Sequence, residues 1–145
     1  MPNEILEFLK EEQVGVLAVE MMDGSPHAAT VHFAHTAHPL IFYFETYREY
    51  RKCEALFGRE KSRASFVVGC NEGSKKTLQL DGLVELIKPE EKEKYDQVYF
   101  GKFPNKKEKS IDPKFVFFKF TTTWWKFTDF KAVGGKKILL SENLV

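Results

Sequence analysis

The stretch LIFYFETYREYRKCEALFG (Leu40–Gly58) changes its period halfway through. Leu40–Phe44 is an apolar, aromatic run, the composition of a pleated and half-buried strand that reads on to Thr46. From Tyr47 to about Gly58 the spacing turns helical. Tyr50, Cys53, Leu56 and Phe57 fall on one face, with Arg48, Arg51, Lys52, Ala55 and Arg59 toward the other. Gly58 suits a helix stop. Just past the strand end, Arg48, Arg51 and Lys52 sit at helical i, i+3 and i+4, although the net charge of the chain is only +1. A helix start at Thr46 offers unpaired N–H groups and a positive dipole end. Thr46 and Tyr50 add hydroxyls, and Arg and Lys add charge suited to phosphate. Two readings stand at this point. One is a phosphate site for a cofactor or substrate. The other is a solvated helix face, with Glu45, Glu49 and Glu54 pairing the cations.

Outward from this segment the chain reads mostly as strands. Val14–Met22 and His27–His35 flank the turn signal Asp23–Pro26 and form a hairpin. Ser62–Cys70 and Thr77–Ile87 follow as strands, the latter alternating Thr77, Gln79 and Asp81 against Leu78 and Leu80. Phe115–Phe130 is one long strand or two with a bend. Asn3 caps a short helix with Ile5, Leu6, Phe8 and Leu9 on one face. Lys88-Pro89-Glu90-Glu91 starts a helix running to about Phe100. Gly101–Pro113 is a basic loop, and the tail from Lys131 carries no clear signal. Six sequential antiparallel strands, apolar on both faces, with three short helices predict a mainly-β fold. The expected form is a small barrel whose closure removes its edges. The 145 residues read as one domain, 1–145.

Composition narrows the function classes. With 22 basic and 21 acidic residues, broad electrostatic capture of nucleic acid or anionic lipid is not expected. No run approaches the ~20 apolar residues of a membrane helix. The start, MPNEILEFLKEE, lacks a signal-peptide pattern, so a cytoplasmic location is expected. Cys53 and Cys70 lack metal-ligand spacing and fit a reducing compartment, with one disulfide left open. His32, His35 and His38 repeat every three residues, which scatters them over strand faces and a turn, so no metal site is expected. Trp124 and Trp125 point to opposite faces of a regular strand. Cys53 reads as packing, and the carboxylates show no pair spaced for acid–base work.

The order of these elements resembles the pyridoxamine 5′-phosphate oxidase-like FMN-binding split-barrel family, over roughly Ile5 to Phe130. Four places carry the resemblance: GVLAVEMMDGSPHAATVHFA, FYFETYREYRKCEAL, LQLDGLVELI followed by a helix with a tyrosine, and WWKFTDF. In the second, Thr46, Arg51 and Lys52 match the family pattern, and Tyr50 stands where Ser is usual. The resemblance implies a six-stranded antiparallel split β-barrel that binds FMN, as a homodimer with two FMN sites at its interface. Arg51 and Lys52 would grip the FMN phosphate with help from Thr46, with Tyr50 in place of the serine. Thr30, Val31 and His32 would follow the isoalloxazine edge through backbone groups. Thr77, or Gln79 two residues on, would reach the ring system, and Trp124 or Trp125 would come from the partner chain. The chain departs from true pyridoxamine phosphate oxidases where they hold substrate. Tyr95 is followed by DQVYFGKF, without the Arg, and the terminal element reads Lys126-Phe127-Thr128. The implied function is a flavin-dependent oxidoreductase for another small molecule, or one served by an electron donor such as NAD(P)H. The alternatives are a non-catalytic flavin carrier or sensor, and a haem- or F420-binding relative. The catalytic residues are not identified.

Overall fold

The computed structural model describes residues 1–69 and 71–143. Among them, eight strands join one antiparallel sheet in the order β2-β1-β5-β6-β7-β4-β3, with β8 also on β7. The strands are β1 (Val14–Glu20), β2 (Pro26–His32), β3 (Ala34–Ala37), β4 (Leu40–Tyr47), β5 (Ser62–Gly69), β6 (Lys76–Leu86), β7 (Phe115–Asp129) and β8 (Lys137–Leu140). The helices are α1 (Asn3–Glu11), α2 (Cys53–Gly58) and α3 (Lys92–Lys102). Two strands exceed the six expected. Phe33 breaks the second predicted strand into β2 and β3, and the tail supplies β8. The predicted strand end at Cys70, and any pairing of its thiol, lie outside the described residues.

The break at Phe33 decides the architecture. Its buried ring turns into the core and its N–H donates to the Gln13 carbonyl, 3.1 Å away. That one residue carries the chain from one edge strand of the sheet to the other. No ladder joins β2 to β3, so the barrel is split there rather than closed. The expectation of an edgeless barrel is corrected accordingly. β7 spans both halves of the curled sheet, pairing β4 along its first part and β8 along its last. The bulge at Asp81/Gly82 bends β6 against it, where a Cβ on Gly82 would stand 2.2 Å from the Thr121 carbonyl oxygen.

The fourteen phenylalanines explain the strand-rich fold. Phe33, Phe42, Phe44, Phe66, Phe118 and Phe120 are fully buried between the curled halves. Their rings meet mostly edge to face, as for Phe42 and Phe66 at 5.1 Å. Burial of each such ring contributes roughly 1.5–3 kcal/mol. A second core, under α3, packs Tyr43, Tyr95, Tyr99 and Phe100. The Tyr95 hydroxyl there donates to the Phe44 carbonyl at 2.9 Å.

Two helix starts differ from the sequence reading. Pro2, not Asn3, is the N-cap of α1. α2 begins at Cys53, not near Thr46. β4 outruns the change of period, because Tyr47 still pairs with Phe115 and the Arg48 N–H donates to the Lys114 carbonyl at 2.7 Å. Residues 48–52 therefore form successive turns, closed by Tyr50 N–H to Tyr47 O and Cys53 N–H to Tyr50 O.

Candidate functional site

A cavity of about 320 Å³ opens at the split, between the ends of β2 and β4. β2 contributes Thr30, Val31 and His32, and β4 contributes Glu45, Thr46 and Tyr47. Tyr50 and Lys52 enter from the turn before α2, and Lys106, Lys109 and Phe115 complete the lining. β2 pairs only with β1, so its other edge faces the split with no strand against it.

One polar atom in this cavity lacks the partner that burial demands, and one cation beside it lacks a counter-ion among the described residues. Thr46 is 5% exposed, and its hydroxyl has no hydrogen-bond partner. Such an orphan costs about 1–3 kcal/mol unless something else satisfies it. Lys52 is likewise 5% exposed. Its ammonium lies 4.9 Å from the Tyr50 ring centroid, and among the described residues no carboxylate comes within ion-pairing reach. Burial lowers the Lys52 pKa below the ordinary lysine value. An anionic ligand that hydrogen-bonds would relieve both groups.

The three cations singled out in the sequence do not converge, because the helix that would have aligned them starts later. Lys52 enters the cavity. Arg48 stacks on Phe57, 5.1 Å from the ring centroid, and reaches toward the Pro113 carbonyl. Arg51 is exposed and lies outside the cavity lining, close enough to Asp23 in the β1–β2 turn to help lower that carboxyl's pKa. The cavity draws its other ammonium groups from Lys106 and Lys109, in the loop after α3. The run GKFPNKKEKS was the available signal, but nothing in it shows which lysines fold back.

Of the ten residues named for the site, six line this cavity: Thr30, Val31, His32, Thr46, Tyr50 and Lys52. Thr77 and Gln79 lie on β6, Thr77 buried and Gln79 exposed. Trp125 is 8% exposed in the main core of its own chain, whereas Trp124 faces outward and donates from Nε1 to Glu142 at 3.2 Å. Only His32 of the three spaced histidines reaches the cavity. Burial, reinforced by the charge of Lys106, lowers its pKa. Groups of three metal-ligating side chains are absent among the described residues.

A larger groove of about 620 Å³ crosses the outer face of β1, β5 and β6. Its polar groups are already matched: Arg63 with Glu20, and Ser65 with Asp81 at 2.9 Å. Volume favours the groove. Unmet hydrogen bonds and unpaired charge favour the smaller cavity, and these are what a polar ligand can exchange for binding energy.

The family model described as pyridoxamine 5′-phosphate oxidase matches residues 1–129. No curated protein matches the chain in sequence. Among solved structures it is similar to a Clostridium acetobutylicum protein related to general stress protein 26, of the pyridoxine phosphate oxidase family. That match has a TM-score of 0.70 at 15% identity, over 99% of this chain and 96% of that one. The haem storage protein of Vibrio cholerae gives 0.66 at 18% identity, over 83% and 89% of the two chains. A FAD-binding protein of Mesorhizobium loti gives 0.65 at 19% identity, over 88% and 93%. At these identities the likeness establishes the fold. No helix among the described residues is long and apolar enough to cross a membrane, a statement that leaves β-barrel spans aside.

Proposed function

The chain belongs to the pyridoxamine 5′-phosphate oxidase family, and on that premise we propose that it binds FMN in the cavity at the split and serves as a flavin-dependent oxidoreductase. The observation that carries the reading is the conjunction of the partnerless, buried Thr46 hydroxyl and the Lys52 ammonium, which sits on a largely buried side chain and has no carboxylate partner among the described residues. Both line a cavity beside the free edge of β2. Lys52 and Thr46 hold the phosphate there, and backbone groups of Thr30–His32 meet the polar edge of the ring system. When bound, the flavin supplies hydride and electron transfer. The chain's own residues bind it, orient it and limit access to it.

The cavity lies at the lower end of the ~300–1,000 Å³ usual for such ligands, so the ring system needs a second wall. A second copy of the chain supplies it. Thr30, Val16, Val67 and Gln79 are consecutive cross-strand neighbours on the outer face of the sheet, running from the cavity edge across four strands. Val16 and Val67 on that row are exposed apolar side chains, suited to burial in a homodimer.

Efficient oxidation of pyridoxamine phosphate is not part of this reading. Tyr95 is fully buried and spends its hydroxyl on Phe44, and Phe127 and Thr128 are buried at the terminal element. The substrate is another small molecule, with NAD(P)H as a candidate donor. The test is the absorption spectrum of the purified protein, followed by titration with FMN, riboflavin, FAD and haem. Tight FMN uptake, weaker riboflavin uptake and anaerobic reduction by a nicotinamide support the enzyme. FMN uptake without reduction supports a carrier or sensor. A Soret band or preferential haem uptake overturns the flavin reading.

A further inference from the structure

We propose that Lys106 and Lys109 close over the ligand's phosphate from the side opposite Lys52, making the loop after α3 the second arm of an anion clamp. This rests on the flavin reading and assigns a role to a segment that its sequence marks only as basic.

The geometry starts from local structure. Pro104–Lys106 and Lys109–Ile111 are 3₁₀ turns, and that conformation repeats every three residues. Lys106 closes the first turn and Lys109 opens the second, three residues apart. Lys106 and Lys109 line the cavity, while Lys107 and Glu108 between them are exposed and absent from its lining. Phe103 meets the His32 ring edge-on at 5.6 Å, which seats this side of the loop against β2. The loop is also fastened to β4. The Ser110 hydroxyl donates its one proton to either of two acceptors in reach, the Glu45 carboxylate and the Lys106 carbonyl, the latter at 2.7 Å.

Lys106 is held without being neutralised. Its ammonium donates to the Tyr99 hydroxyl at 3.3 Å and lies 4.8 Å from the Phe103 ring centroid. Among the described residues neither Lys106 nor Lys109 forms an ion pair. The cavity lining holds three ammonium groups, on Lys52, Lys106 and Lys109, against one carboxylate, on Glu45. The excess of two positive charges matches a phosphate monoester, which carries about −1.5 to −2 at neutral pH. Arg51, which the family resemblance had placed on the phosphate, lies outside the lining, and the loop lysines supply the missing charge.

The experiment titrates wild type, K52M, K106M/K109M and K106R/K109R with FMN and with riboflavin, at low and high salt. The expected result for K106M/K109M is a loss of FMN affinity of about tenfold or more, with riboflavin affinity changed less than about twofold. The salt dependence of FMN binding should shrink, and the Arg pair should restore affinity. Equal losses for both flavins, or no loss, overturn the clamp. If K52M erases the preference for FMN and the loop pair leaves it intact, the clamp fails and the flavin reading stands. If wild type takes up neither flavin, both fail. Should the double variant unfold, the exposed Lys109→Met alone must show the same selective loss, by a smaller factor.

Discussion

Phe42, Phe44 and Thr46 lie on one face of β4, two residues apart, and the face changes character along its length. Phe42 and Phe44 are fully buried, with aromatic neighbours at 4.9–5.5 Å. Thr46 is nearly as buried, yet its hydroxyl meets no partner. Burial alone thus does not distinguish framework from site. The distinction is whether the buried groups are satisfied by the chain itself. The first part of β4 is complete without a ligand, and its end is not.

The largest test of this contrast is Phe44→Ala. Removing a fully buried ring should cost about 3–5 kcal/mol of stability, read from urea unfolding monitored by tryptophan fluorescence. FMN affinity, measured where the variant remains folded, should change far less. A selective loss of FMN binding with little loss of stability would break the division.

Lys52→Met should invert that pattern. It removes a partly desolvated charge without a counter-ion from a largely buried side chain, so the ligand-free protein should be as stable as wild type or more so. FMN binding should weaken by about 1.5–3 kcal/mol, the range for a hydrogen bond to a charged group. Riboflavin binding should be nearly unaffected. Calorimetric titration and thermal melts of the same samples decide it, and a destabilised variant would mean that Lys52 is structural. Thr46→Val is the milder version. Stability without ligand should rise by up to about 1 kcal/mol, while FMN affinity falls severalfold. A destabilised ligand-free Val variant would show that the hydroxyl is already satisfied.

What was legible in the sequence follows the same line. Strands with strong local patterning, such as the aromatic Leu40–Thr46 and the alternating Ser62–Cys70, could be placed because their burial depends on local period. The split was implied by the family resemblance, but its position could not be read, since it hangs on Phe33, one residue inside a stretch that otherwise reads as a single strand. The overextended helix came from reading Tyr50, Cys53, Leu56 and Phe57 as periodic from Tyr47, when the ladder to β7 holds Tyr47 extended. Six of the named residues line the cavity because they lie on, or directly after, the strands that frame the split. Lys106 and Lys109 were not, because their placement depends on a hydroxyl of the loop meeting Glu45, a contact 65 residues apart in the chain.

The smallest expected effect separates two histidines that flank the split. His32 lines the cavity, whereas His35, on β3, lies against the Phe42 ring at 6.1 Å. Burial, with the charges of Lys102 and Lys10, pushes the His35 pKa down to about 4. The unfolded chain holds this proton from about pH 6.5 downward, so unfolding takes up a proton between those values. The stability that neutral His35 contributes is therefore complete above about pH 6.5 and is lost as pH falls toward 4. His35→Gln should match wild type in FMN affinity at neutral pH and show a flatter melting temperature across that window. Carboxylates titrate in both proteins, so the difference between the two curves isolates His35. His32→Gln should mainly alter flavin binding, and should flatten the melting curve less than His35→Gln does, because the His32 pKa is lowered too but the ring is less buried. Parallel melting curves for wild type and His35→Gln would mean that β3 accommodates the charged ring, and that packing constrains this side of the split less than its geometry implies.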